Sequence, residues 1–230
     1  MLDSRRCQLT VIMSHKSLPR SFFERPTLRV AKDLLGKYVV RRTARQTLAV
    51  RIVDVEAYIG PKDRACHASR GRTQRTEVMF GPSGITYVYL IYGMHHCLNL
   101  VTERVDYPAA VLIRGVEIIE SENQNFDSII RIDGPGRVCR FLNIDRTLNG
   151  VDTTRGQLIW VEDRGETVRS KQIQPRPRIG INYAGEWAKK PWRFCLLEGS
   201  SNRGMRRTNS EGRGEETTTI FILKKPFRMG

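Results

Sequence analysis

The chain is short of acidic groups, of paired cysteines and of long apolar runs, and each shortage removes a class of protein. Only 24 Asp and Glu oppose 39 Lys and Arg, so the formal charge is +15. A field of that sign and size favours polyanions, nucleic acid above all, over acid-seeking or neutral partners. The five cysteines, Cys7, Cys66, Cys97, Cys139 and Cys195, are odd in number and scattered, and no CxxC pair occurs. That argues against a disulfide scaffold or a thiolate zinc site and for a reducing compartment. Cys66-His67 and His95-His96-Cys97 match no common zinc spacing, so no metal is expected. The longest uncharged stretch, between Glu77 and Glu103, is broken by Gly81, Pro82, Gly84, Gly93 and Asn99 and alternates like strand, which argues against a membrane span. The opening MLDSRRCQLTVIM has a basic pair and a short apolar run but no small-residue cleavage site, which argues against export, and Met13 is as good a start as Met1. No internal repeat is present.

What remains is enough for one sizeable domain. Residues 1–20 read as a disordered leader, 21–197 as the domain, and 198–230, polar and glycine-rich without periodicity, as a disordered tail. Leu28, Ala31, Leu34 and Leu35 have helical spacing after Pro26, with Thr27 as candidate N-cap and Gly36 just past the end. YVVRR and LAVRIVDVEAYIG, joined through Thr43 to Gln46, predict strands, as do AAVLIRGVEII, GQLIWVE, RPRIGIN and WRFCLL. GPGRVCRFLNI has the Gly-Pro opening and the Val138, Phe141, Leu142 spacing of a short helix. The fold class is α+β, a single domain with a curved, mainly antiparallel sheet and short flanking helices.

Two stretches carry candidate chemistry. In RIVDVEAYIG, alternation puts Asp54, Glu56 and Tyr58 on one face and Val53, Val55, Ala57 and Ile59 on the other. This delivers two carboxylates and a ring to one side of a strand, although a solvated sheet face produces the same pattern. The charged loop that follows holds Asp63, His67, Arg70, Arg72 and Arg75, a mixture able to engage phosphates. TYVYLIYGMHHCLN then adds three tyrosines, with Tyr87 suited to core packing and Tyr92 set against Gly93 where a strand should turn. Basic side chains beside aromatic rings suit a protein that grips a nucleic-acid backbone and stacks on bases.

Taken in order, DVEAYIGPKDRACHASRGRT, MFGPSGITYVYLIYGMHHCLN, AAVLIRGVE, GPGRVCRFLNID and RIGINYAGEWAKKPWRF resemble the alkyladenine (3-methyladenine) DNA glycosylase family, from about Phe22 to Phe194. The resemblance implies a fold like the C-terminal domain of formyltransferases. It also implies base-excision repair of 3-methyladenine, 7-methylguanine, ethenoadenine or hypoxanthine in double-stranded DNA by a monomer without metal or organic cofactor. The setting would be the cytoplasm and nucleoid of a prokaryote or the nucleus of a eukaryote. By the same resemblance Glu56 is the general base, Arg114 helps to hold the water, and the Ile179 carbonyl is a third contact. Tyr58, His67 and Tyr89 wall the base pocket and Asn99 crowds the 2-amino group of guanine. Tyr92 is the wedge, Met94 and His95 touch the flanking base pair, and Arg72 and Arg75 contact DNA.

Two departures stand out. Thr73-Gln74-Arg75-Thr76 replaces the family's Thr-Pro-Arg-Asn, losing a rigid turn. After PWRF the likeness stops, as a frameshift or mis-spliced end would produce. A lesion-binding protein without turnover is the alternative reading, and an RNA-binding or formyltransferase-like module a third that leaves the wedge and pocket unexplained.

Overall fold

The computed structural model describes residues 17–122 and 126–197. Most of the expected leader and all of the expected tail lie outside them. The leader's last residues are tied down: Leu18 is buried and donates its N–H to the Val161 carbonyl, and Ser17 bridges to Glu162. Contact with the sheet therefore begins before residue 21.

Among the described residues nine strands form one sheet: β1 Tyr38–Arg42, β2 Thr47–Tyr58, β3 Thr86–Ile91, β4 His95–Thr102, β5 Ala109–Glu122, β6 Phe126–Asp133, β7 Ile159–Glu162, β8 Ile173–Arg176 and β9 Arg193–Leu196. The order is β3-β4-β5-β2-β1-β7, with β6 on β5, β9 on β2 and β8 on β9, and every pairing is antiparallel. With the three short α-helices among the described residues, this is the α+β domain expected.

β2 is the hub. Its first half pairs with β1 and its second half, Asp54 to Glu56, with β9, while β5 runs along its other edge. The register with β5 shifts between Ile52 and Val55, a bulge that re-aims the side chains on either side of Asp54.

Helix α1, Arg20–Phe23, precedes α2, Thr27–Leu34, and α3 spans Pro135–Phe141. Val30, Ala31 and Leu34 of α2 and Val138 of α3 enter one core with Val53, Val55, Leu98, Leu100 and Ile113. Each large aliphatic buried there is worth about 1.5–3 kcal/mol, so the apolar face of β2 is firmly anchored. Thr27 is the first helical residue rather than the N-cap. Its N–H and hydroxyl both donate to the Glu103 carboxylate, so a side chain beyond β4 meets the helix's free donors instead.

Two strands were not legible in advance. β6 forms a hairpin with β5, and β8 covers the edge of β9. RPRIGIN, expected as strand, follows β8 as a bent loop instead, with Gly180 at φ 76°.

Candidate active site

Asp54, Glu56 and Tyr58 share a face as alternation required, but water does not cover it. Asp54 is 1% and Glu56 0% exposed. The cover comes from far along the chain: β9 pairs with the strand, and the loop before it lays the Ile179 N–H 3.1 Å from Glu56 Oε1. The Tyr58 hydroxyl donates to Glu56 Oε2 at 2.7 Å, and Arg114 Nη1 stands 3.7 Å from Oε1. The Ile179 carbonyl is the atom expected at the site; what the structure shows is the Ile179 backbone N–H donating to the carboxylate.

Glu56 opens into a cavity of about 580 Å³. Of the residues singled out by sequence, Glu56, Arg114, Ile179, Tyr58, His67, Tyr89, Asn99, Tyr92, His95 and Arg75 all line it. Met94 and Arg72 do not. Arg72 is committed elsewhere: it bonds Glu77 at 2.7 Å and Asp106 at 2.5 Å and lies over the Phe80 ring. Arg75 lies over Tyr89, 5.3 Å from its centroid.

The pocket walls are rings in fixed relation. His67 meets Tyr89 edge to face at 4.6 Å, and its Nδ1 is 3.0 Å from the Tyr87 hydroxyl. Tyr87 is buried, as expected of a core residue, yet it also orients the histidine. Asn99 donates Nδ2 to the carbonyls of Tyr87 and Cys97, which fixes which end of the amide faces the wall.

Burial dominates the electrostatics. It raises the Glu56 carboxyl above the usual carboxylate range, against the opposing pull of the Tyr58 hydroxyl, Arg114 and the Ile179 N–H. It lowers His67 to about 4, helped by the nearby Arg75 charge, so the imidazole is neutral at neutral pH. The Tyr58 and Tyr89 hydroxyls are pushed up and remain protonated donors. The arrangement offers a buried base of raised basicity to a flat group lodged among neutral rings. Among the described residues no group of three or more His, Cys, Asp or Glu is gathered as for a metal ion.

At the mouth, Tyr92, Gly93 and Met94 form the β3–β4 turn, in which the Met94 N–H donates to the Ile91 carbonyl at 3.2 Å and Tyr92 and Gly93 both have positive φ. Gly93 accepts that backbone at no cost; Tyr92, at φ 53°, does not. Its ring is 82% exposed and Met94 is 69% exposed, so the hairpin carries two large apolar side chains into solvent at a strained turn.

Sequence reasoning missed two supports. Arg178 and Asp63, both 0% exposed at the side chain, form a buried ion pair, and Arg178 lies 4.7 Å from the Tyr58 ring centroid. Asp63 therefore anchors the loop rather than facing phosphates. Tyr183 also lines the cavity, with its hydroxyl 3.5 Å from the Ala65 carbonyl. The only local signal was the INYAGEW sequence itself, an aromatic beside glycine in a polar segment.

Fold and site together define a class: an antiparallel α+β protein with a buried carboxylate in the wall of a cavity lined by aromatic rings, on a strongly basic chain. Residues 21–200 match the family model of methylpurine-DNA glycosylase. A protein of Methanocella arvoryzae is 53% identical over 186 residues, covering 77% of this chain and 90% of its own. One of Myxococcus xanthus is 48% identical over 183 residues, covering 79% and 90%, and one of Legionella pneumophila 46% over 183, covering 80% and 96%. All three carry the provisional name 3-methyladenine DNA glycosylase. The chain belongs to the methylpurine-DNA glycosylase family.

Proposed function

We propose that the domain over residues 21–197 is a monofunctional DNA glycosylase that extrudes damaged purines from duplex DNA and hydrolyses their N-glycosidic bond. The observation that carries this reading is Glu56, fully buried at the cavity wall and braced by the Tyr58 hydroxyl and the Ile179 N–H. A carboxylate placed there accepts a proton from water as the water oxygen bonds to C1′. The C1′–N bond breaks, its electron pair leaves with the base, and the carboxylate also faces the positive charge that grows on the sugar. Arg114 is the partner that helps to hold the water.

A base inside a duplex cannot present C1′ to such a group, so the nucleotide has to leave the stack at a cost of a few kcal/mol. Tyr92, exposed on its hairpin, is suited to fill the gap. Tyr58, His67 and Tyr89 then sandwich the base, and rings suit cationic purines such as 3-methyladenine or 7-methylguanine as well as flat neutral ones. Neutral His67, its Nδ1 engaged by the Tyr87 hydroxyl, has Nε2 with which to read the base edge, as donor or acceptor according to the tautomer. Among the described residues no lysine lines the cavity, which supports water over an amine as nucleophile.

The test is to incubate the protein with duplexes carrying one hypoxanthine, ethenoadenine or 7-methylguanine and to follow the free base and the strand. The proposal expects free base from at least one duplex and a strand that breaks only after alkali. Lesion binding without base release would support the non-catalytic reading; breakage without alkali would contradict hydrolysis.

A further inference from the structure

Behind Glu56 lies a second buried carboxylate that the proposed reaction does not use. Asp54 is 1% exposed. Arg193 of β9 grips it, with Nε 3.0 and 3.2 Å from its two oxygens and Nη2 2.7 Å from Oδ2. The Cys195 thiol lies 3.3 Å from Oδ1. Gly115, opposite on β5, leaves the room, because a Cβ there would stand 2.9 Å from that of Asp54. Arg114, beside that glycine, reaches to 3.6 Å from Asp54 through Nε and 3.7 Å from Glu56 through Nη1. Both distances exceed a hydrogen bond, so the guanidinium is suspended between two carboxylates and bonded to neither.

We infer that Asp54 is a positioning residue for Arg114: its charge holds the guanidinium astride the two carboxylates and keeps it from closing on Glu56. The inference rests on the function proposed above. An arginine facing one carboxylate alone closes into a short, bidentate pair, as Arg193 does on Asp54. The same closure on Glu56 would occupy the lone pairs that a water needs and would make the carboxylate a weaker base. Asp54 prevents it by pulling from the other side. Because its own oxygens are already filled by Arg193 and Cys195, it attracts Arg114 without capturing it.

The cluster is balanced, two carboxylates against two guanidiniums. The other groups facing it are Tyr58 from β2, Tyr89 from β3, Cys97 from β4, Arg131 from β6 and Cys195 from β9. Burial raises the phenols and thiols above their ordinary values, and Arg131 stays charged beside Asp133 and Glu117, so none of these changes charge near neutrality.

The experiment is the pH profile of single-turnover base release for wild type, Asp54→Asn and Arg193→Gln. Asp54→Asn leaves the cluster with excess positive charge and frees Arg114 to close, so the acid limb moves to lower pH by about 1 unit or more and the plateau rate falls. Arg193→Gln leaves excess negative charge and moves the limb to higher pH. Shifts of opposite sign are expected. Slower variants whose limbs stay in place, or move together, overturn the inference, because loss of structure alone lowers the rate without that signature. Should Asp54→Asn not fold, Arg193→Gln decides by itself. If the wild type releases no base, the proposed function fails. Carbon-13 titration of the Glu56 carboxyl in the same proteins then decides the inference, with opposite shifts supporting it and unmoved or parallel ones overturning it.

Discussion

Removal of Asp63 should cost far more than its place in a charged loop would indicate. Arg178 donates to both Asp63 oxygens, at 2.5 and 2.9 Å, and to the carbonyls of Ala57 and Trp187. Asp63 also accepts the N–H groups of Ile59 and Ala65. Asp63→Ala would leave a guanidinium buried without its counter-charge, a loss of about 3–5 kcal/mol against a typical total of about 5–15. With a urea slope of about 2 kcal/mol per M, the midpoint should fall by about 1.5–2.5 M. Tryptophan fluorescence is a suitable probe, because the Trp192 ring lies 5.2 Å from the Arg178 guanidinium and 5.6 Å from Trp187. The double change Asp63→Leu with Arg178→Met, which removes both charges, should recover much of the loss. A single-variant shift under about 0.5 M, the scale of an exposed pair, would refute the reasoning.

Tyr92→Gly should weaken lesion affinity while leaving the melting temperature unchanged or higher, since it relieves a positive φ and removes an exposed ring. Binding isotherms and a thermal melt would check it, and unchanged affinity would remove the wedge role. Tyr58→Phe deletes a donor to the Glu56 carboxylate, so the charged form is less favoured and the acid limb of base release should move to higher pH. A limb that stays in place would contradict that bond's importance. His67 is depressed to about 4 in the fold from an ordinary 6.5, so below pH 6.5 the unfolded chain takes up a proton that the folded one refuses. Its contribution is fully present above 6.5 and is lost as pH falls toward about 4, where the loss levels off. Melts of wild type and His67→Gln across that window should converge toward acid.

The sequence pattern revealed faces better than it revealed covers. Alternation aligned Asp54, Glu56 and Tyr58 correctly, but whether water or protein lay over them depended on β9 and Ile179, more than a hundred residues away. No local signal carries that distance. The Tyr92 turn was legible because Tyr-Gly between two β-rich runs is itself a turn signal. RPRIGIN misled because its apolar residues alternate, while the Arg178 anchor and positive-φ Gly180 bend it away from the sheet. Asp63 and Arg72 looked alike as loop charges, yet one is fully buried and the other neutralised at the surface, outcomes set by partners 115 and 34 residues distant. β6 went unread because its residues give no clean two-residue period, and only pairing with β5 makes them strand.

The most direct test compares single-turnover base release by wild type and Glu56→Gln on duplexes with one hypoxanthine, ethenoadenine or 7-methylguanine. The amide keeps the shape of the side chain and loses the base. Release by wild type, with none from Glu56→Gln at near-equal lesion affinity, is the predicted result. Equal release by the two proteins would contradict the assignment of Glu56 and, with it, the mechanism built on this pocket.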